Sequence, residues 1–131
     1  MNIEKHKILI VDDEIEFLKL MKEFLEEESY NVLTAESGEK GIEILKENDP
    51  ISVVISDQKM SGISGLEFLE TVKKTNSRTI RMLISGSVGD TRLEELASSG
   101  DIFYYTAKPI NLMTVLGKIE SGIEQYEKNL A

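Results

Sequence analysis

One carboxylate, Asp57, ends an apolar and largely β-branched run, Ile51-Ser-Val-Val-Ile-Ser56, and a loop carrying Gly62 and Gly65 follows it. Three other runs also finish on polar groups. Asp12-Asp13 follow Ile8-Leu9-Ile10-Val11, Ser85 follows Arg81-Met82-Leu83-Ile84, and Lys108 stands before Pro109. If these groups meet, three carboxylates repel one another and raise each other's pKa unless a cation joins them. Hard oxygens with no His or Cys suit Mg²⁺, which keeps several waters and uses one or two protein carboxylates. Lys108 adds a second positive centre. Each group taken singly has a plainer reading. An Asp-Asp pair serves as a helix N-cap and a surface charge, Asp57 as a loop acid, Ser85 as a loop hydroxyl.

What could bring them together is the order of elements. Lys7 to Val11 reads as a strand buried on both faces. A helix from about Glu14 to Glu28 follows, with Ile15, Leu18, Met21 and Leu25 at helical spacing and Glu26, Glu27 and Glu28 on a solvated face. Tyr30 to Ala35 reads as a second strand. Ser37 caps the next helix, with Lys40 where a capping box needs Glu. That helix carries Ile42 and Leu45 and stops near Asn48-Asp49-Pro50. The third strand is Ile51 to Ser56, and the third helix runs from about Ser64 to Lys74 with Leu66, Leu69 and Val72 inward. Thr79 to Ile84 is the fourth strand. A helix from about Asp90 to Ser98 stops at Gly100, Ile102 to Thr106 is the fifth strand, and the last helix spans about Leu112 to Asn129.

Five strands alternating with five helices predict a doubly wound α/β fold: a parallel five-stranded sheet covered on both faces. In such a sheet all strand ends collect at one edge, and ligand sites form there at the switch point. Strand order is open from the pattern. In the flavodoxin-like order 2-1-3-4-5, strands one and three are neighbours, and Asp13 and Asp57 meet.

Composition narrows the classes. The chain has 131 residues, enough for one domain with a sizeable core. It has no cysteine, which excludes disulfides and thiolate chemistry. A formal charge of −9 argues against a nucleic-acid-binding face. No apolar run approaches a membrane span, and the start lacks a signal-peptide core, so a cytoplasmic protein is expected. His6 is expected at the surface. Tyr104 and Tyr105 must face opposite sides of their strand. Gly86-Ser-Val-Gly89 lacks the Lys-Ser/Thr of a phosphate loop and reads as a turn. In the last helix Leu112, Leu116, Ile119, Ile123, Tyr126 and Leu130 form a heptad seam. Its first half suits packing on the sheet, while Tyr126 and Leu130 lie late for that, which suggests a dimerising or output segment.

Asp12-Asp13, Asp57 followed by Met60-Ser61-Gly62 and Gly65, Ser85-Gly86, and Lys108-Pro109 together resemble the receiver domain of two-component response regulators. The resemblance covers the chain from Lys7 into the last helix, a single receiver domain with its core at about 7–124. It implies that Asp57 is the phosphoacceptor, taking phosphate from a histidine kinase, a phosphotransfer protein or a small phosphodonor, with no turnover of an external substrate. It implies Mg²⁺ on Asp13 and Asp57, on Asp12 through a water, and on the backbone carbonyl of Lys59. Lys108 and Ser85 would meet the phosphoryl oxygens, and Tyr105 would be the aromatic switch. Ser61 stands where the family usually has Pro, Ser85 for Thr and Gly86 for Ala, so looser loops are expected there. Lys59 sits beside the site, where it could bias hydrolysis of the acyl phosphate. Three other readings stay open: a flavodoxin-like small-molecule protein, a haloacid-dehalogenase-like phosphatase (which usually has Asp where Lys59 stands), and a receiver that signals without phosphate.

Overall fold

A run such as Ile8–Val11 has no polar face, so it is stable only between two covering layers. The computed structural model, which describes residues 5–86 and 91–130, supplies both layers. The elements alternate: β1 (Lys7–Val11), α1 (Ile15–Glu27), β2 (Asn31–Ala35), α2 (Gly38–Glu47), β3 (Val53–Asp57), α3 (Gly65–Thr75), β4 (Ile80–Ser85), α4 (Thr91–Ser99), β5 (Tyr104–Ala107) and α5 (Leu112–Asn129). All strand pairs are parallel, in the order β2-β1-β3-β4-β5. The expected helix start at Asp90 and the turn through Ser87 to Gly89 lie outside the described residues.

Period-two alternation divides the core. Ile8, Ile10, Val53, Ile55, Met82 and Ile84 pack on one side with α1 and α5. Leu9, Val11, Val54 and Leu83 pack on the other with Leu45, Phe68, Leu69, Val72 and Leu93 of α2, α3 and α4. Each fully buried aliphatic or aromatic side chain contributes about 1.5–3 kcal/mol. Phe68, absent from the sequence reading, is among the largest fully buried side chains.

Several boundaries differ from expectation. Ile51 and Ile102 are buried yet precede β3 and β5, because apolar content reports burial and not ladder pairing. Asp57 and Ser85 are the last residues of their strands instead of the first residues beyond them. Ile15 is half-exposed at the first turn of α1, and the inward stripe there is Leu18, Met21 and Leu25. Leu66 is only half-buried, packed against the α2–α4 side of the core. Ser37 caps α2 by accepting the Lys40 N–H. Ser64 and Glu67 form a full capping box on α3, whose Ser-x-x-Glu signature the sequence carries.

Two expectations are overturned. His6 is buried, not at the surface: its Nδ1 lies 2.7 Å from Ser52 Oγ and its ring meets Tyr126 edge-on at 5.9 Å. Burial holds the His6 pKa below its ordinary value, with Glu127 pulling it back up. Tyr126 is only 6% exposed and belongs to the α1–α5 side of the core. The late part of the proposed seam therefore keeps only Leu130 on the surface, because α5 stays packed on the core as far as Tyr126. Tyr126→Ala should lower the free energy of unfolding in a urea titration by about 3 kcal/mol; a surface seam residue would leave it unchanged.

Candidate functional site

Parallel register brings the strand ends level. Val11 pairs with Ser56, so Asp12 continues beside Asp57. Asp57 pairs with Ile84, and Ser85 pairs with Ala107, the residue before Lys108. One oxygen each from Asp12, Asp13 and Asp57 lie within 4.8 Å of one another, the cluster among the described residues suited to a metal ion. Asp12 is wholly buried and Asp57 nearly so, while Asp13 is exposed.

A buried carboxylate is tolerated only when its oxygens are satisfied. Asp12 Oδ1 accepts the backbone N–H of Glu14 at 2.9 Å, and Oδ2 accepts from Lys108 Nζ at 2.8 Å. Lys108 also donates to Glu14 Oε1 at 2.9 Å, lies 3.8 Å from Asp57 Oδ1, and sits 4.6 Å above the Phe17 ring. Burial works against the ammonium, yet its hydrogen bonds to Asp12 and Glu14 hold its pKa above the ordinary lysine value. Asp57 is pushed up to about 6. Burial is the largest cause and the Asp12 charge the next; Lys108 opposes them, Asp13 adds to them, and the Gln58 backbone N–H opposes them.

The loop after Asp57 is held by α3. Gly65 N donates to Gln58 O at 3.0 Å, and Leu66 N donates to Gln58 Oε1 at 2.8 Å. A Cβ on Gly65 would stand 2.2 Å from the Asp57 carbonyl oxygen, so only glycine allows this approach.

The predicted site residues are thus gathered unequally. Asp12, Asp13, Asp57 and Lys108 form one contact group. Ser85 is buried at the end of β4, next to Asp57's strand. Lys59 is exposed in the loop two residues after Asp57. Tyr105 pairs with Leu83 in β5, is half-buried, and packs toward the α2–α4 side, whereas Tyr104 packs toward α1 and α5, as alternation requires. Sequence reasoning missed Glu14, Phe17, Gln58 and the close approach at Gly65. Glu14 and Lys108 are 94 positions apart, and no local pattern carries that contact.

Fold and site define a class: a flavodoxin-like α/β domain with an acidic, lysine-closed pocket where strands β1 and β3 part. The chain belongs to the response regulator receiver domain family, whose model matches residues 8–120. It is 32% identical over 124 residues to the nisin biosynthesis regulatory protein NisR of Lactococcus lactis, covering 95% of this chain and 53% of that protein. A response regulator receiver domain protein from Clostridium thermocellum superposes with a TM-score of 0.85 at 35% identity, covering 96% of this chain and 99% of that one. The response regulator protein TrrA of Thermotoga maritima, in complex with Mg(2+)-BeF, superposes with a TM-score of 0.77 at 31% identity over 89% of this chain and 98% of that one. The chain spans about half the length of the nisin regulator. Among the described residues no helix is long and apolar enough to cross a membrane.

Two outcomes follow from this geometry. Gly65→Ala should destabilise the fold by about 1–3 kcal/mol in urea unfolding, because backbone meets the new methyl group. Asp57 has its pKa raised from 3.8 to about 6 on folding. Stability from its protonated form is full below 3.8 and is lost as pH rises through about 6. In metal-free buffer Asp57→Asn should therefore be the more stable protein at about pH 7.5, by about 1–3 kcal/mol. That advantage should vanish at about pH 3.5, where both states hold the proton. Equal stability at the higher pH would show that the ionised carboxylate carries no strain.

Proposed function

We propose that this domain accepts a phosphoryl group on Asp57 in a Mg²⁺-dependent step, from a histidine kinase, a phosphotransfer protein or a small phosphodonor. The observation that carries the reading is the meeting of three carboxylates with a lysine whose Nζ is 3.8 Å from Asp57 Oδ1. An oxygen of Asp57 attacks phosphorus, the bond from phosphorus to the donor's nitrogen or oxygen breaks, and the donor leaves with the electron pair. Asp13 and Asp57, Asp12 through a water, and the Lys59 carbonyl would hold Mg²⁺. The donor set fits: hard oxygens, with Asp57 raised to about 6 by burial first and by the Asp12 charge next, and no His or Cys among them. When bound, Mg²⁺ supplies the positive charge that offsets the carboxylates and the incoming phosphoryl oxygens.

The chain's own residues do the positioning. Asp57 is largely ionised at neutral pH, as a nucleophile must be. Lys108 pairs with one phosphoryl oxygen and the Ser85 hydroxyl donates to another. The Ser85 loop and Tyr105 then favour one of two arrangements of the surface made by α4, β5 and α5, which is the signal. The phosphoryl group stays on the chain until water removes it, so no external substrate is turned over. The setting is the cytoplasm, with residues 1–131 acting as a single receiver unit. The partner is a protein and not a nucleic acid, in keeping with the charge of −9.

Incubation with acetyl phosphate, with and without Mg²⁺, tests this by intact mass. Wild type should gain one phosphoryl group only with Mg²⁺, and Asp57→Asn none. Phosphoryl mass on Asp57→Asn, or none on wild type with Mg²⁺, contradicts the reading.

A further inference from the structure

Resting on the phosphoacceptor reading, we infer that Glu14 is a positioning residue that holds Lys108 away from Asp57 until a phosphoryl group arrives. Lys108 Nζ is 2.9 Å from Glu14 Oε1 and 2.8 Å from Asp12 Oδ2, but 3.8 Å from Asp57 Oδ1. The ammonium is thus committed to two acids, neither of them the nucleophile. Asp12 needs Lys108, because its side chain is 1% exposed and Oδ2 receives its hydrogen bond from this ammonium. Glu14 does not: its side chain is 66% exposed, and water satisfies it. Nor does its carboxylate cap α1, which starts with no side-chain cap bond. Among the described residues, Lys108 is the one hydrogen-bonding and ionic partner of the Glu14 side chain.

The consequence is a competition. To reach a phosphoryl oxygen on Asp57, the Lys108 ammonium must leave Glu14 and shift from its place over the Phe17 ring. The Lys108–Glu14 contact stabilises the unphosphorylated state alone, so it opposes occupancy of the site. An exposed ion pair of this kind is weak, so the opposition sets a level and does not block the site. Glu14 would in this way tune how readily the site accepts an anion, without touching the reacting atoms.

The test is a double-mutant cycle read by beryllofluoride binding at saturating Mg²⁺, followed by amide NMR shifts in the whole chain. Wild type, Glu14→Gln, Lys108→Ala and the double variant are compared. Glu14→Gln should bind beryllofluoride about 2- to 5-fold more tightly than wild type, the range an exposed pair allows. In the Lys108→Ala background the same substitution should change nothing. Unchanged or weaker binding by Glu14→Gln overturns the inference. An equal gain in the Lys108→Ala background overturns it as well, since the effect would then come from charge alone. If wild type itself does not bind, the phosphoacceptor reading falls and this inference with it; if wild type binds and the cycle shows no coupling, only the role of Glu14 falls.

Discussion

Two carboxylates, Asp12 and Asp57, are buried side by side at the end of a parallel sheet, and one ammonium stands between them and solvent. That constraint organises the rest of the molecule. Like charges at this distance in a poorly hydrated place are unfavourable, and Asp57 shows the strain in a pKa pushed up to about 6. Asp12 is tolerated because both its oxygens are satisfied, by the Glu14 N–H and by Lys108. Asp57 has Lys108 at 3.8 Å, beyond hydrogen-bonding distance, and the Gln58 backbone N–H offsets only part of the strain. In the proposed reading, a cation, alone or with a phosphoryl group, would offset this charge.

The fold makes this arrangement rigid. β1 and β3 are interior strands paired in register, so the backbone that carries the two carboxylates is held by the ladder. Behind Asp57, α3 is capped at Ser64 and Glu67 and advances so closely that Gly65 leaves no room for a methyl group. Lys108 arrives from β5 at the far edge of the sheet and is laid over Phe17 of α1. Five elements, β1, β3, α1, α3 and β5, therefore meet around one charge cluster. The proposed switch would act through that shared placement.

Much of this was legible in the sequence, for identifiable reasons. Unbroken apolar runs between amphipathic helices can be buried only as a parallel sheet, and a parallel sheet must gather its strand ends at one edge. Asp12, Asp13, Asp57, Ser85 and Lys108 could be picked out on that ground. Their roles came from the resemblance to receivers, which a family match over residues 8–120 bears out at the level of the family. What the sequence hid depends on distance along the chain. Nothing in Asp12-Asp13 tells which acid is buried; the sheet decides it by placing Asp12 inward. The contact of Glu14 with Lys108 joins residues 94 positions apart. His6 misled because a lone histidine before a strand looks solvent-bound, whereas Ser52 and Tyr126 enclose it. Tyr126 misled because the heptad pattern cannot distinguish a partner helix from the chain's own core, which reaches as far as this residue.

The carboxylate cluster should stay strained until a divalent cation joins it. Thermal unfolding followed by circular dichroism against Mg²⁺ concentration tests it most directly. A site that binds Mg²⁺ only in the folded state should gain about 1.4 kcal/mol of stability for each tenfold rise in Mg²⁺ above its Kd. Wild type should show that rise, and a variant carrying both Asp13→Asn and Asp57→Asn a flat response. A wild-type midpoint indifferent to Mg²⁺, or an equal rise in the double variant, would contradict it.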